Sequence, residues 1–386
     1  MLKKEKYFCI FGGGAIRGLT YVGAVRALKE KNVEFTGFAG SSAGSIAAVM
    51  TALDYTTEEM SEIFMHFDYT LFRDINFSFK FELALSKGEV FTDKIREIIA
   101  KKLGTDRPIT FNDFPKNLYI LASNLSTGKC VIFSKETTPD FEVALAVRIS
   151  AGFPGLMNPY ELKGEYYVDG DLGKAYALSQ ISPLLDPKDC KVLEFRLEGA
   201  KRQPPSKNPL VYLNNAIDFL CNSATDNVIS LYENKEKYDI VVLETKDTLL
   251  FDLNIPKEHR EYLIQLGYDI TKEYFEKILT KKNKNLISIY KIIENAIKSI
   301  YDAVLKREYQ TAKEISTEFF VSNYKKFDTL DEDIVEKTEE LIKSLINNKT
   351  KKIFFIPIAN NHAEIKDKIS NLEKMLKNKI LSLSIC

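Results

Sequence analysis

The sequence predicts an α/β sandwich around a mostly parallel sheet, followed by an α-helical C-terminal extension. Three observations carry that prediction. Short apolar runs alternate with helix-period segments through the first 280 residues, and glycine-rich turns separate strand from helix twice near the start. From Lys281 onward glycine vanishes, Pro357 is the only proline, and helical periodicity takes over.

The elements follow in order. Lys6 to Phe11 is a short apolar run with the character of a buried strand, and Gly12-Gly13-Gly14 follows it directly. From Gly18 to Lys31, Leu19, Val22, Val25, Ala27 and Leu28 form a helical stripe. Val33 to Ala39 is a second strand, Gly40-Ser41-Ser42-Ala43-Gly44 a tight turn, and Ser45 to Leu53 a helix of small residues. A helix over Thr92 to Lys102 and strands over 118–122, 129–133, 191–195 and 238–243 complete the alternation.

The change of character at Lys281 sets a domain boundary, giving 1–280 and 281–386. The second part carries 20 Lys+Arg against 15 Asp+Glu. Near its end Ile365, Ile369, Leu372, Leu376, Ile380 and Leu383 fall on one helical face, with lysines elsewhere. A helix packed onto its neighbours is the favoured reading; a basic helix lying on an anionic membrane is the alternative.

Composition narrows the partners. The 54 Lys+Arg balance 54 Asp+Glu, which speaks against nucleic acid as a ligand. The five cysteines show no metal-ligand spacing, so the expectation is reduced thiols, no metal site and a reducing compartment. The apolar run before the first glycines is too short for a signal peptide, and no 18-residue apolar stretch occurs. The expectation is a cytoplasmic protein whose membrane contact is peripheral, with leaderless export still compatible.

The run of glycines suits close approach of a ligand to backbone amides: a pyrophosphate, a nucleotide phosphate or the oxyanion of an ester under attack. Gly13-x-Ala15-x-x-Gly18 is a degraded dinucleotide fingerprint, with Glu34 near the spacing of a ribose ligand. A P-loop is excluded because Gly18 is followed by Leu19-Thr20 and no lysine. Gly40-x-Ser42-x-Gly44, between a strand and a helix, matches the elbow that exposes a nucleophilic serine. Acyl transfer needs such a nucleophile and N–H donors from a second turn, which the upstream glycines supply. Only His66, His259 and His362 are present, and none stands in a context suited to a triad base. A carboxylate is the natural substitute, and Asp169 ends the run Glu165 to Val168 before Gly170.

Taken in order, Gly12-Gly13-Gly14-Ala15-Ile16-Arg17-Gly18, the elbow with Ser42 and the Asp169-Gly170 turn resemble the patatin-like phospholipases of bacterial type. Segments 87–92, 110–114, 122–128 and 146–155 resemble the family's linking segments, and the similarity runs over about residues 5–280. The resemblance implies a phospholipase A or lysophospholipase using a Ser42-Asp169 dyad without histidine or cofactor. It further implies an oxyanion hole from the amides of Gly13, Gly14 and Ala15. Gly12, Arg17, Gly18, Gly40, Gly44 and Gly170 would support it, Arg17 by ordering the loop ahead of meeting a phosphate. The implied partner is a phospholipid membrane surface; the extension, 281–386, lies outside the resemblance and is read as a regulatory, docking or membrane-associating element that could receive a protein activator or partner.

Two positions depart from the family pattern. Ala15-Ile16 precede Arg17, so either Ala15 replaces a third glycine or the loop is one residue longer. Asp171 follows Gly170 where glycine or alanine is usual, and its charge either raises the Asp169 pKa or simply solvates the turn. Phe77, Phe79, Phe81 and Leu83 alternate at period two, as in a half-buried edge strand or an aromatic lid. The rival functions are an esterase with a histidine triad and a non-catalytic binding or effector protein with a dinucleotide-like loop.

Overall fold

The computed structural model describes residues 5–31, 33–67, 84, 86–172, 177–185, 190–199, 231–232, 237–246, 248–250, 254–306, 311, 314–315, 318–319, 332–347 and 359–385. The aromatic alternation at 77–83 lies outside them. The chain divides into two compact units, Met1–Tyr274 and Phe275–Cys386.

The first unit is organised by one eight-stranded sheet. Its strands are β1 (Lys6–Phe11), β2 (Glu34–Ser41), β3 (Leu118–Asn124), β4 (Lys129–Phe133), β5 (Tyr160–Leu162), β6 (Glu165–Val168), β7 (Lys191–Glu198) and β8 (Tyr238–Glu244). The order is β5-β6-β3-β2-β1-β7-β8, with β4 also paired to β3. The β3-β2-β1-β7-β8 part is parallel, and the pairs β3-β4, β3-β6 and β5-β6 are antiparallel. β1 is central and buried on both faces, which is why it has no polar alternation.

Helices cover the two faces. On one, Phe8, Ile10, Ala39 and Leu121 meet Ala177, Leu178 and Ile181 of α6 (Ala177–Ile181). On the other, Phe11 packs edge-on to Tyr21 of α1 (Thr20–Glu30). The same unit holds α2 (Ala43–Ala52), α3 (Thr57–His66), α4 (Glu89–Leu103) and α5 (Val143–Ser150). α3 opens with a capping box between Thr56 and Glu59, and α4 lies between Gly88 and Gly104, both left-handed.

The long helix α7 (Lys257–Leu305) begins in the first unit and runs into the second. The second unit also contains α8 (Glu332–Asn347) and α9 (Ala359–Ile385). Its core joins Tyr290, Ile293, Ile297 and Ile300 of α7 with Ile334 and Leu341 of α8 and Ile369, Leu372 and Leu376 of α9. Ile380 and Leu383 of α9 pack against the same core, so these five positions of the stripe are used in packing within the second unit.

Candidate active site

The site forms where two strands run toward each other along one edge of β3. β2 pairs with β3 as far as Ser41 opposite Leu121, and β6 pairs beyond it, with Val168 opposite Ser123. β4 occupies the other edge over the same residues, so β2 and β6 share one edge in opposite senses. The residues following Ser41 and Val168 consequently meet: they are Ser42 and Asp169.

Ser42 sits between β2 and α2 at φ 51°, ψ −125°, a conformation L-residues adopt only under strain. The surrounding glycines permit it. A Cβ on Gly40 would overlap the backbone of Gly44 and Ser45, and one on Gly44 would overlap the carbonyls of Phe11 and Gly12. The turn is held from three sides. The Ser42 N–H donates to Ser150 Oγ at 2.9 Å, and the Ser42 carbonyl accepts from Ser45 N–H at 2.9 Å and Ser45 O–H at 2.6 Å. The Ser42 hydroxyl donates to Asp169 Oδ2 at 2.7 Å.

Asp169 is buried, with 1% of its surface exposed. Its own N–H donates to Gly152 O, and its Oδ1 accepts from Asp171 N–H at 2.9 Å. Burial pushes its carboxyl well above the ordinary carboxylate range, and the neighbouring Asp171 charge adds to the rise. The Asp171 N–H and the Ser42 hydroxyl offset part of it. Asp171, half-buried, is raised too, by desolvation, while the nearby Ser41 hydroxyl and Gly13 N–H favour its charged form. The Ser41 hydroxyl is buried without a hydrogen bond of ordinary geometry.

The glycine loop closes the site. Gly12 N–H is taken by Phe195 O at 3.0 Å, and Gly12 O accepts from Tyr21 O–H at 2.6 Å, so that residue belongs to the sheet. Gly13 lies against Asp171, since a Cβ there would overlap its carboxylate. Gly14 leads into a single 3-10 turn, Ala15–Leu19, and Ala15 has φ 48°. Ala15 thus occupies a conformation glycine favours, as a stand-in for a third glycine would. Among the described residues the N–H groups of Gly14 and Ala15 make no backbone hydrogen bond. Arg17 is 1% exposed, with its Nε donating to Thr248 O at 2.8 Å, which ties the loop to the segment after β8. Gly18 abuts Ala43, and Gly170 abuts Leu121 and Ser41.

His66 and His259 have partners other than Ser42 and Asp169. His66 is exposed and bonds Glu62 O, and His259 Nε2 meets Thr248 Oγ1 at 2.9 Å. The dinucleotide reading fails on register. Glu34 pairs with Lys6 at the start of β1, whereas the glycine loop follows Phe11 at its other end, about 15–20 Å away at strand rise. Sequence reasoning missed Ser150, whose only signal is its place in the segment 146–155. Among the described residues no cluster of His, Cys, Asp and Glu is placed to hold a metal, and no helix is long and apolar enough to cross a membrane.

Residues 9–174 match the family described as patatin-like phospholipase, a span that contains the glycine loop, Ser42, Ser150, Asp169 and Asp171. The uncharacterized protein YqhO of Bacillus subtilis is 29% identical over 290 residues, covering 67% of this chain and 94% of that protein. A probable lipid hydrolase, 463L, of Invertebrate iridescent virus 6 is 31% identical over 43% of this chain and 61% of its own length. Relatives thus come from viruses as well as bacteria, and the comparisons support the patatin-like phospholipases without singling out a bacterial type. VipD from Legionella pneumophila shares the fold, with a TM-score of 0.51 at 14% identity over 99% of this chain and 90% of that one. The architecture is the patatin-like sandwich with a helical C-terminal region.

Proposed function

We propose that this chain, matched over residues 9–174 by patatin-like phospholipases, is itself a lipid acyl hydrolase that works through Ser42 and Asp169. The observation that carries the reading is the 2.7 Å hydrogen bond from a strained serine, at a strand-to-helix turn, to a buried carboxylate.

The chemistry follows from that contact. Ser42 Oγ attacks the ester carbonyl carbon while Asp169 Oδ2 takes its proton, and the tetrahedral oxyanion forms toward the glycine loop. Collapse breaks the bond to the alcohol, which leaves with the proton from Asp169, and an acyl-serine remains. Water then attacks the acyl-serine with Asp169 again as base, and the fatty acid departs. An aspartate of ordinary pKa is a feeble base for a hydroxyl, and the raised proton affinity of Asp169 improves it. Ser150 fixes the Ser42 backbone so that the hydroxyl keeps its line to Asp169. The amides of Gly13, Gly14 and Ala15 supply the oxyanion donors, and each such donor is worth about 3–4 kcal/mol. The substrates are acyl esters of phospholipids or lysophospholipids at a membrane surface, approached peripherally, and the helical extension is the docking region for an activating protein.

Intact-mass and peptide analysis after exposure to a fluorophosphonate tests this. The expected result is a single adduct on Ser42, absent from Ser42→Ala and strongly slowed in Asp169→Asn. An unmodified Ser42 in folded protein would overturn the proposal.

A further inference from the structure

Ser42 and Asp169 hang from one short stretch of chain. Ser150 Oγ accepts the Ser42 N–H at 2.9 Å, Ser150 O accepts the Gly170 N–H at 3.1 Å, and Gly152 O accepts the Asp169 N–H at 3.0 Å. The 2.7 Å contact from Ser42 Oγ to Asp169 Oδ2 therefore depends on where 150–152 lies. Ser150 is the last residue of α5, and the chain then opens into a loop with exposed Pro154 and Gly155 at its tip. A loop so exposed keeps its place only if its base is closed.

Arg148 closes that base. It projects from α5 with 4% of its surface exposed, and its guanidinium carbon lies 5.3 Å from the centre of the Tyr160 ring. Its Nη2 donates to Asn158 O at 2.7 Å, which joins the two ends of the loop, and to Lys87 O at 2.6 Å. The second bond ties the loop to the turn before α4. There Ser86 N–H donates to Leu156 O at 2.9 Å and Asn158 N–H donates to Ser86 O at 2.8 Å. Gly88, at φ 77°, leaves room for the guanidinium, since a Cβ on it would stand 2.8 Å from Arg148 Nε.

We infer that Arg148 is a positioning residue for ester hydrolysis: by clamping the carbonyls of Lys87 and Asn158 to α5 it fixes Ser150 and Gly152, and through them the alignment of Ser42 with Asp169. The inference rests on the reading of Ser42 and Asp169 as the dyad and deepens it. Among the described residues the hydrogen bonds of Arg148 reach neither member of the dyad, so it acts through geometry. Hydrogen bonds from a charged donor are roughly twice as strong as neutral ones, which suits a clamp on two carbonyls. A displacement of about 1 Å at reacting groups is worth about 10²-fold in rate.

The test uses the full chain and p-nitrophenyl butyrate, a soluble ester. Arg148→Met, Arg148→Lys, Ser150→Ala and the double variant Arg148→Met with Ser150→Ala stand beside wild type and Ser42→Ala. Methionine keeps an unbranched stem and donates nothing. Lysine keeps the charge with a different donor geometry, and it guards against a folding defect in the methionine variant. Arg148→Met is expected to lower kcat roughly 10- to 100-fold with KM within about threefold of wild type, and Arg148→Lys to fall between the two. Because Arg148 acts through Ser150 and Gly152, its replacement should cost less in the Ser150→Ala background than in wild type. A merely structural Arg148 would lower the folded fraction and leave kcat per folded chain unchanged. Folded variants with wild-type kcat, or a double variant whose loss is the full product of the two single losses, overturn the inference while leaving the dyad standing. Ser42→Ala as active as wild type overturns both.

Discussion

Asp169→Asn should separate the activity of the site from its cost in stability. Asp169 accepts the Asp171 N–H on Oδ1 and the Ser42 O–H on Oδ2 while almost wholly buried. Asparagine keeps the outline: its oxygen accepts from Asp171 N–H and its amide donates to Ser42 Oγ. The charge and the proton acceptor are lost, so hydrolysis should fall by roughly 10²–10⁴. Stability should move the other way. An unfolded aspartate releases its proton near about 3.9, and burial makes the folded one hold it more tightly. Between those two pKa values the native state carries the extra proton, so wild-type stability declines as pH rises through that window and levels above the folded pKa. Each pH unit crossed between the two values costs about 1.4 kcal/mol, so with the folded carboxyl pushed up to about 8 the rise from about pH 5 to about pH 8 removes about 4 kcal/mol. Asparagine carries no such penalty, and Asp171, relieved of its neighbour, titrates closer to the ordinary range. Urea unfolding of both proteins from about pH 5 to about pH 9, beside ester hydrolysis, measures the effect. The variant should gain on wild type as pH rises, by about 4 kcal/mol at the upper end. Parallel curves, a gap that narrows with pH, or retained hydrolysis would refute the reasoning.

Other substitutions probe the supports. Ser42→Gly and Ser42→Ala both lack the nucleophile, but only alanine must bear φ 51°, ψ −125°. With strain of about 1–3 kcal/mol set against a glycine penalty of about 0.4–1 kcal/mol, the glycine variant should unfold at higher denaturant than the alanine one. Ser150→Ala strips the Ser42 N–H of its buried acceptor and should cost about 1–3 kcal/mol in unfolding experiments, with kcat reduced and threonine at 150 restoring it. His259→Ala should leave ester hydrolysis within about twofold of wild type, because His259 meets Thr248 and not Ser42. A collapse of activity there would favour a histidine triad.

What could be read from the sequence was whatever local chemistry decides. β1 was visible as an unbroken apolar run, α1 as a stripe, and the two glycine turns as places where side chains would collide. The α9 stripe is equally plain, and Ile369, Leu372 and Leu376 from it lie in the core of the second unit. The meeting of Ser42 with Asp169 depends on β6 reversing to share an edge of β3 with β2, and no residue near either position encodes that return. β5, three residues long, was too short to show a period. Ser150 contributes a hydroxyl 108 positions away from Ser42, and serines of that kind carry no pattern. Asp171 departs from the family pattern in the sequence itself, but its contact with Gly13 joins two turns far apart in the chain. Glu34 shows the converse: its spacing suited a ribose ligand, and the register of β1 with β2 puts it at the wrong end of the sheet.

The central claim is that Ser42 and Asp169 together release fatty acid from membrane lipids. Mass-spectrometric analysis of mixed phospholipid and lysophospholipid vesicles after incubation with wild type, Ser42→Ala and Asp169→Asn addresses it directly. The account predicts free fatty acid and the matching deacylated lipid with wild type alone, and a lipid profile unchanged by either folded variant. Equal release by Ser42→Ala, or an unchanged profile with wild type, would contradict it.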